Sequence, residues 1–525
     1  MRPLQRTATT LADLIDGILA DPAAGGDTGP SDLARARTIT VTGVSMAGNE
    51  VESGDLFLGV PGARFHGAKF AAQAQERGAV AVLTDAEGAR LIAEAGDCRL
   101  PVFIGRDNPR EYAGTLASRV YGTDIIHALT LGITGTNGKT STAHFLDALL
   151  RQLGLITGLS STAERRIGTE AVISHLTTPE APEVHALLAR MIEAGVDAAV
   201  IEVSAHALTR HRINGVKFDV VGFTNLSHDH LDDYDSMDDY LDAKIELFEP
   251  RYARRAVVCL DTPAGLTVRD RAQIPVTTIS TAGVAPAGTV TDWVVTVEQE
   301  HPTHTTFLLD NPTHGSVRTR IPMIGAHMAS NAGLAIAMLV EAGLKLTTIA
   351  QVLAADGEIS AELPGRLVRV SGDSGPTLYV DSGHTPDAFA KTLQAVRAVT
   401  PGRVIMVTGA DGGRDSSKRP EMGAEAARGS DLLIITDHHS RTENPGEIRA
   451  ALVAGARTQV TADHILEVPD PARAIRTAVE RAGANDTILW CGLASQDYRD
   501  VGGVERPFSV VDASRAALRE FGWLD

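Results

Sequence analysis

The stretch that most narrows what this chain can fold into is "ALTLGITGTNGKTSTAHFLDALLRQLG", residues 128–154: an apolar run, a glycine loop, then a helical pattern. A buried strand that turns directly into a helix leaves backbone N–H groups at the helix start, where the partial positive charge favours phosphate. Within "GITGTNGKTS", Gly135, Thr136, Asn137 and Gly138 let the backbone close around phosphate oxygens, and Lys139 brings a positive charge to the β/γ-phosphates. Thr140, followed by Ser141, offers a hydroxyl to Mg²⁺. The strict phosphate-loop pattern wants a glycine at Ile133; here the first glycine is Gly132. The plain alternative is a glycine turn followed by an exposed lysine. The flanking strand and helix favour ATP, and an α/β fold with it.

The rest of the chain supports α/β throughout. Residues 38–127 alternate short apolar runs ("TITVTG", "DLFLGVPG", "AVAVLTD", "PVFIG") with alanine-rich helical patterns such as "GAKFAAQAQERGA". After the phosphate loop, "AAVIEVS" and "VVGFTNLS" read as further strands of one parallel sheet. Residues 285–322 have the two-residue period of antiparallel strands. From about residue 363, "TLYVDSG", "RVIMVTGA", "DLLIITD" and "DTILWCG" alternate with helices, a second α/β domain of Rossmann type. The expected division is 1–127, 128–362 and 363–525, which suits 525 residues.

A net charge of −18 argues against nucleic acid or an anionic membrane as the main partner, leaving small molecules. Cys98, Cys259 and Cys491 are far apart with no CxxC spacing, so neither a zinc site nor a disulfide framework is expected. With no signal-peptide core and no 18-residue apolar run, a cytoplasmic location is expected.

Three motifs choose among the users of a phosphate loop. "IEVSAHALTRHRI" places Glu202 at a strand end, followed by Ser204, His206 and Arg212; a carboxylate there can hold Mg²⁺, or be an ordinary strand-end acid. "FTNLSHDHLDDY" packs Asn225, His228, Asp229, His230 and Asp232 into one loop, a density that suits a divalent ion or a triphosphate, or a capping loop. "SMDDYLDAKIELF" then carries Lys244, whose bland reading is a solvated helix lysine.

This combination resembles the Mur ligase family, ATP-dependent amide-bond-forming enzymes of peptidoglycan precursor synthesis, in its MurE branch. "GITGTNGKTS", "HLTTPEAPEVHALLARM", "IEVSAHAL", "FTNLSHDHLDDY", "YLDAKIELF", "LPGRLVRV", "VDSGHTPDA" and "GGRDSSKRPEMG" occur in family order. The resemblance implies a three-domain architecture: an N-terminal UDP-binding α/β domain, a central phosphate-loop ATPase domain and a C-terminal Rossmann-like domain. It implies ATP and Mg²⁺, with Glu202, His230, Thr140 and a carbamylated Lys244 as metal ligands. Asn331 would approach the adenine, and Arg366, Asp381 and His384 would close over the nucleotide. Thr177, Thr178, Ser204 and Arg212 would hold the muramoyl-dipeptide. The UDP end would lie in the N-terminal domain, where the family's frequent Asp-Ser-Arg is Ala47-Gly48-Asn49. The implied partners are UDP-N-acetylmuramoyl-L-alanyl-D-glutamate and a free amino acid, with the chain acting as a monomer. The D-glutamyl γ-carboxylate would be phosphorylated and the acyl phosphate then attacked by the amine.

The third-residue pocket departs from the family. Where members that add meso-diaminopimelate carry Asp-Asn-Pro-Arg, this chain has His438-His439-Ser440-Arg441, and where they carry Gly-Lys-Gly-His-Glu it has Gly492-Leu493-Ala494-Ser495-Gln496. A literal "DNPR" at 107–110 lies in the N-terminal domain ahead of a helix and is a decoy. Arg414 and Arg441 can still clamp a carboxylate, whereas an ammonium finds a partner only if Asp437, Glu443 or Asp497 takes part. Diamino acids and other amino acids both stay open. So do a Mur-like ligase with another acceptor, of which a folylpolyglutamate-type enzyme is disfavoured by the UDP-binding domain, and an ATP-binding relative that no longer ligates.

Overall fold

The apolar runs of the first 105 residues pair as a parallel sheet in the order Gly43–Ser45, Asp55–Gly59, Ala81–Thr84, Val102–Ile104. Val44, Leu56, Leu58, Ala81, Leu83 and Phe103 face one core and Phe57 and Val82 another, so both faces of the sheet are covered. The alanine-rich stretch expected as one helix is two pieces, a 3₁₀ turn Gly67–Phe70 and a helix Ala71–Glu76. The "DNPR" decoy begins a helix: Asn108 accepts from the Arg110 N–H, and Pro109 opens Pro109–Tyr121.

The computed structural model describes residues 2–5, 7–19, 34–62, 65–106, 108–174, 176–494 and 497–524. These form two compact units, Met1–Gly132 with Leu155–Val221 and Glu246–Arg255, and Ile133–Gly154 with Gly222–Ile245 and Ala256–Asp525. In the first unit, strand Ala198–Glu202 runs parallel to Thr157–Ser160, and Glu164–Ile167 with Glu170–Ile173 adds an antiparallel hairpin absent from the sequence reading. Helix Ala181–Glu193 packs on Pro109–Tyr121.

In the second unit, residues 256–259 pair in parallel with Val276–Thr281, which pairs in parallel with Trp293–His301. The chain then turns into the expected antiparallel excursion, Trp293–His301, His304–Asn311 and Gly315–Ile321. Helix Ala326–Glu341, almost wholly apolar, packs against Lys139–Gln152. The C-terminal part is a six-stranded sheet in the order Val368–Arg369, Thr377–Asp381, Thr487–Cys491, Val404–Thr408, Leu432–Ile435, Ile465–Glu467, parallel except at its first edge. Its four central strands are the four expected. A parallel sheet of this kind opens its loops at the strand C-terminal ends, where ligands of such folds bind.

Candidate active site

The phosphate loop leaves strand Leu129–Thr134 at Gly135, with φ of +146°, and enters helix Lys139–Gln152 through Gly138, with φ of +86°. Both glycines are required by position. A Cβ on Gly135 would lie 1.9 Å from Thr224 Oγ1, and one on Gly138 would lie 2.6 Å from Asn331 Oδ1. Ile133, where the strict pattern wants glycine, is buried in the strand instead. Asn331 thus sits directly on the phosphate loop.

A second loop, residues 224–234, is clamped onto the first. Thr224 Oγ1 donates to the Asn137 carbonyl (2.6 Å), Asn225 Oδ1 accepts from Asn137 N (3.0 Å), and Ser227 N donates to Thr136 Oγ1 (3.1 Å). Asn137 Nδ2 reaches Ser227 Oγ (3.1 Å), Thr385 Oγ1 (3.2 Å) and Asp387 Oδ2 (3.1 Å), which brings the start of helix Pro386–Val399 to the same place.

Two lysines converge on one carbonyl. Lys139 Nζ donates to the Gly135 carbonyl (2.9 Å) and to that of Thr136 (2.8 Å), while Lys244 Nζ donates to the same Gly135 oxygen at 3.0 Å. Lys244 is 1% exposed, with Nζ 4.1 Å from the Tyr240 ring centroid, so it is not the solvated helix lysine of the bland reading. Burial drives its pKa well below the ordinary lysine value, and the neighbouring Lys139 charge adds to the effect, against the opposing pull of Asp229. A lysine so placed gives up its proton more readily than an ordinary one.

Asp229 is also buried, and burial alone would raise its pKa; Lys418, His384 and His230 outweigh that and keep it ionised, below the usual carboxylate range. His230 has φ of +59° and stands 3.5 Å from Asp229 Oδ2. Arg366 Nη2 donates to Thr140 Oγ1 (3.2 Å). Buried Asp381 accepts from Leu367 N (3.0 Å) and Gly383 N (2.7 Å), and His384 Nδ1 pairs with the Ser382 carbonyl (2.9 Å), so the expected nucleotide-closing residues share one corner.

In the first unit Glu202, fully buried, accepts from Thr162 N (2.9 Å) and Oγ1 (3.0 Å). Thr178 Oγ1 donates to the Glu202 carbonyl (2.7 Å) and accepts from Ser204 N (3.1 Å); Arg212 Nη1 donates to the Thr178 carbonyl (3.1 Å) and pairs with Glu180 (3.0 Å). Thr177 accepts from Thr162 Oγ1 (3.0 Å). The four expected dipeptide-holding residues are thus joined around Glu202. The same unit contains a cavity of about 770 Å³ lined by Ala47, Asn49, Arg77, Arg110 and Arg165 among others. Arg165 is a cation that sequence reasoning missed; its Nε is buried without a partner.

In the C-terminal sheet, His438 and His439 face opposite ways. His438 lies 3% exposed against Trp490 (6.1 Å between rings, 17° between planes), in a space that exists because residues 409 and 492 are glycines: Cβ atoms there would come within 2.8 Å and 2.0 Å of its ring. His439 packs on Tyr498, and its Nδ1 accepts from Asp500 N (2.9 Å), which leaves the proton on Nε2. Arg441 has φ of +48°, held by its N–H to the Asp500 carbonyl (3.0 Å) and by Gly502 N to its own carbonyl (2.7 Å). That clasp comes from a hairpin, Tyr498–Val501 with Val504–Pro507, that sequence reading did not find. The Arg441 guanidinium reaches the Gly413 carbonyl (3.2 Å) and lies 3.9 Å from Asp411, while Arg414 is exposed on the adjoining loop. Of the carboxylates considered for an ammonium, Asp437 is bound by Arg449, and Glu443 by Arg419 (2.8 and 3.1 Å) and Gly413 N (2.5 Å). Asp497 is exposed, and Gln496 lies outside the described residues.

Three segments match family models in order: residues 40–121 the "Mur ligase family, catalytic domain", 133–339 the "Mur ligase middle domain", and 365–493 the "Mur ligase, glutamate ligase domain". The chain belongs to the Mur ligase family. This Mur ligase is 54% identical over 486 residues, 93% of each chain, to a UDP-N-acetylmuramyl-tripeptide synthetase of Leifsonia xyli. It is 38% identical over 525 residues to a UDP-N-acetylmuramoyl-L-alanyl-D-glutamate–2,6-diaminopimelate ligase of Streptomyces coelicolor, covering 99% and 98% of the two chains. A solved structure of a ligase of that second description shares the fold with a TM-score of 0.65 at 23% identity, over 98% of this chain and 99% of the other. The three-domain Mur ligase fold read from the motifs is therefore the fold of this protein. Among the described residues no helix is long and apolar enough to cross a membrane.

Proposed function

We propose that this Mur ligase uses ATP to join a free amino acid to the D-glutamyl γ-carboxylate of UDP-N-acetylmuramoyl-L-alanyl-D-glutamate in the cytoplasm, forming an amide through an acyl phosphate. The observation that carries the reading is the convergence of Lys139 and the buried Lys244 on the Gly135 carbonyl of the phosphate loop. The loop N–H groups, the start of helix Lys139–Gln152 and Lys139 bind the ATP phosphates and offset charge developing during transfer. Asn331 and the corner made by Arg366, Asp381 and His384 border the nucleotide. In the second unit the Thr140 hydroxyl, His230 and the oxygens that Lys244 would present as a carbamate make a donor set that suits Mg²⁺, and burial of Lys244 favours the uncharged amine from which a carbamate forms; Glu202, in the first unit, is assigned to the ion by the family motif alone. When bound, the ion neutralises triphosphate and acyl-phosphate oxygens.

The γ-carboxylate oxygen takes the ATP γ-phosphoryl group with release of ADP. The incoming amine then attacks the acyl carbon, phosphate leaves, and the amine gives up a proton to form the neutral amide. Thr177, Thr178, Ser204 and Arg212 hold the dipeptide end, and the cavity beside Ala47 and Asn49 takes the UDP end. The residue ranges 1–127, 128–362 and 363–525 are the domains this division of labour implies.

Arg414 and Arg441 are assigned to the carboxylate of the incoming amino acid, with His438, His439 and Gly492 shaping the wall beside it. With Asp437 and Glu443 engaged, a second ammonium on that amino acid would have to be met by Asp411 or Asp497. Phosphate release and product mass with UDP-muramoyl-dipeptide, ATP, Mg²⁺ and a panel of single amino acids test the proposal. Product with one or a few amino acids is expected; no product with any would refute ligation.

A further inference from the structure

The loop over residues 411–419 leaves strand Val404–Thr408 carrying Arg414, and it is tied at both ends. On one side Gly412 N donates to the His439 carbonyl (2.7 Å), and Arg419, the first residue of helix Arg419–Gly429, binds Glu443 and the Asp411 carbonyl (3.0 Å). The carboxylate-clamping segment of Arg414 and Arg441 is thereby one body. On the other side it meets the loop over residues 224–234, which is itself hydrogen-bonded to the phosphate loop. Most contacts across that second side are long: His228, partly exposed, reaches Ser417 Oγ (3.2 Å), Asp415 (3.5 Å) and Glu421 (3.3 Å), and Leu231 N reaches Asp415 Oδ2 at 3.4 Å. One differs in kind. Lys418 Nζ donates to Asp229 Oδ1 at 2.6 Å with both side chains under 9% exposed, and the same oxygen accepts from His230 N (3.0 Å).

A buried pair joins its two segments at a defined distance, because neither charge can leave the other without losing its solvation. We infer that Lys418 is a positioning residue whose pairing with Asp229 fixes the loop that bears Arg414 against the phosphate-loop clamp, and so sets where the incoming amine stands relative to the acyl phosphate. Bond formation of this type is steep in distance: a displacement near 1 Å costs about a hundredfold in rate. This rests on the ligase reading. ATP contacts made by residues 135–141 do not run through Lys418, so nucleotide affinity is spared.

The test uses the full chain and the amino acid that gives product. Lys418→Met is expected to lower kcat at least 30-fold while the ATP KM stays within threefold. Asp229→Asn is expected to do the same, and the double variant to be no worse than either single one, since both remove one interaction. Hydrogen exchange in residues 411–421 should quicken in Lys418→Met while strand Val404–Thr408 keeps its protection. If that strand also loosens, Lys418→Arg decides, with at least a third of kcat expected. A Lys418→Met kcat within threefold of the parent, losses that multiply in the double variant, or a Lys418→Arg loss as large as that of Met would overturn the inference. Failure of the parent with every amino acid would instead sink the ligase reading, and this inference with it.

Discussion

Acid should destabilise this protein in part through one buried histidine of the C-terminal sheet, His438. Burial lowers the pKa of His438 from 6.5 to about 4, against the opposing pull of Asp411, and its Nε2 has no hydrogen-bond partner to help it hold a proton. In the unfolded chain the same imidazole titrates at its ordinary value. Because the folded pKa is the lower one, the unfolded state binds the extra proton first. The stability tied to the neutral ring is therefore complete above about pH 6.5, falls by about 1.4 kcal/mol per pH unit below it, and levels off below about pH 4. Between pH 7.5 and pH 5.0 the loss from this ring alone is about 2 kcal/mol. His438→Leu keeps an apolar group against Trp490 and cannot titrate. Urea unfolding of parent and variant at both pH values isolates the effect, since every other titrating group is common to both. The expected result is that the stability difference between parent and variant shifts by about 2 kcal/mol in the variant's favour on going to pH 5.0. An unchanged difference would refute the reasoning, showing that the ring is either solvated or already charged in the folded protein.

Lys139→Ala is expected to abolish ATP turnover, read as ADP formation, because the ammonium bridging the Gly135 and Thr136 carbonyls is lost; turnover above a tenth of the parent would contradict the assignment. Lys244→Ala should lose at least about a hundredfold in kcat, as removal of one charge-stabilising group does, with partial recovery on adding a short carboxylic acid, and ¹³C-bicarbonate should label the parent but not the variant. Gly138→Ala should cost more than the roughly 1 kcal/mol ordinary for strained φ, since its Cβ would lie 2.6 Å from Asn331 Oδ1; a melting temperature equal to the parent's would show that this contact relaxes freely. Arg441→Gly, which suits the backbone φ of +48°, should raise the amino-acid KM at least tenfold and leave the ATP KM unchanged; equal rises in both would place Arg441 elsewhere.

The sequence by itself determined the strand, glycine loop and helix at 128–154, the four central C-terminal strands and the order of the motifs, because these are local. Periodicity, glycine placement and short spacing are written along the chain and survive without knowledge of neighbours. Tertiary structure alone decided which polar groups are buried and which are already paired. Lys244 reads as a surface helix residue until helix Met237–Ile245 is seen to press it onto the phosphate loop. Asp437 and Glu443 read as open ammonium partners until Arg449 and Arg419 occupy them. Lys418 and Asp229 stand 189 residues apart, and nothing local in either motif announces the other. Burial and ion pairing depend on which distant segments meet, so their energies, and with them the protonation and placement of the reacting groups, come into being only when the loops of the second unit close on one another.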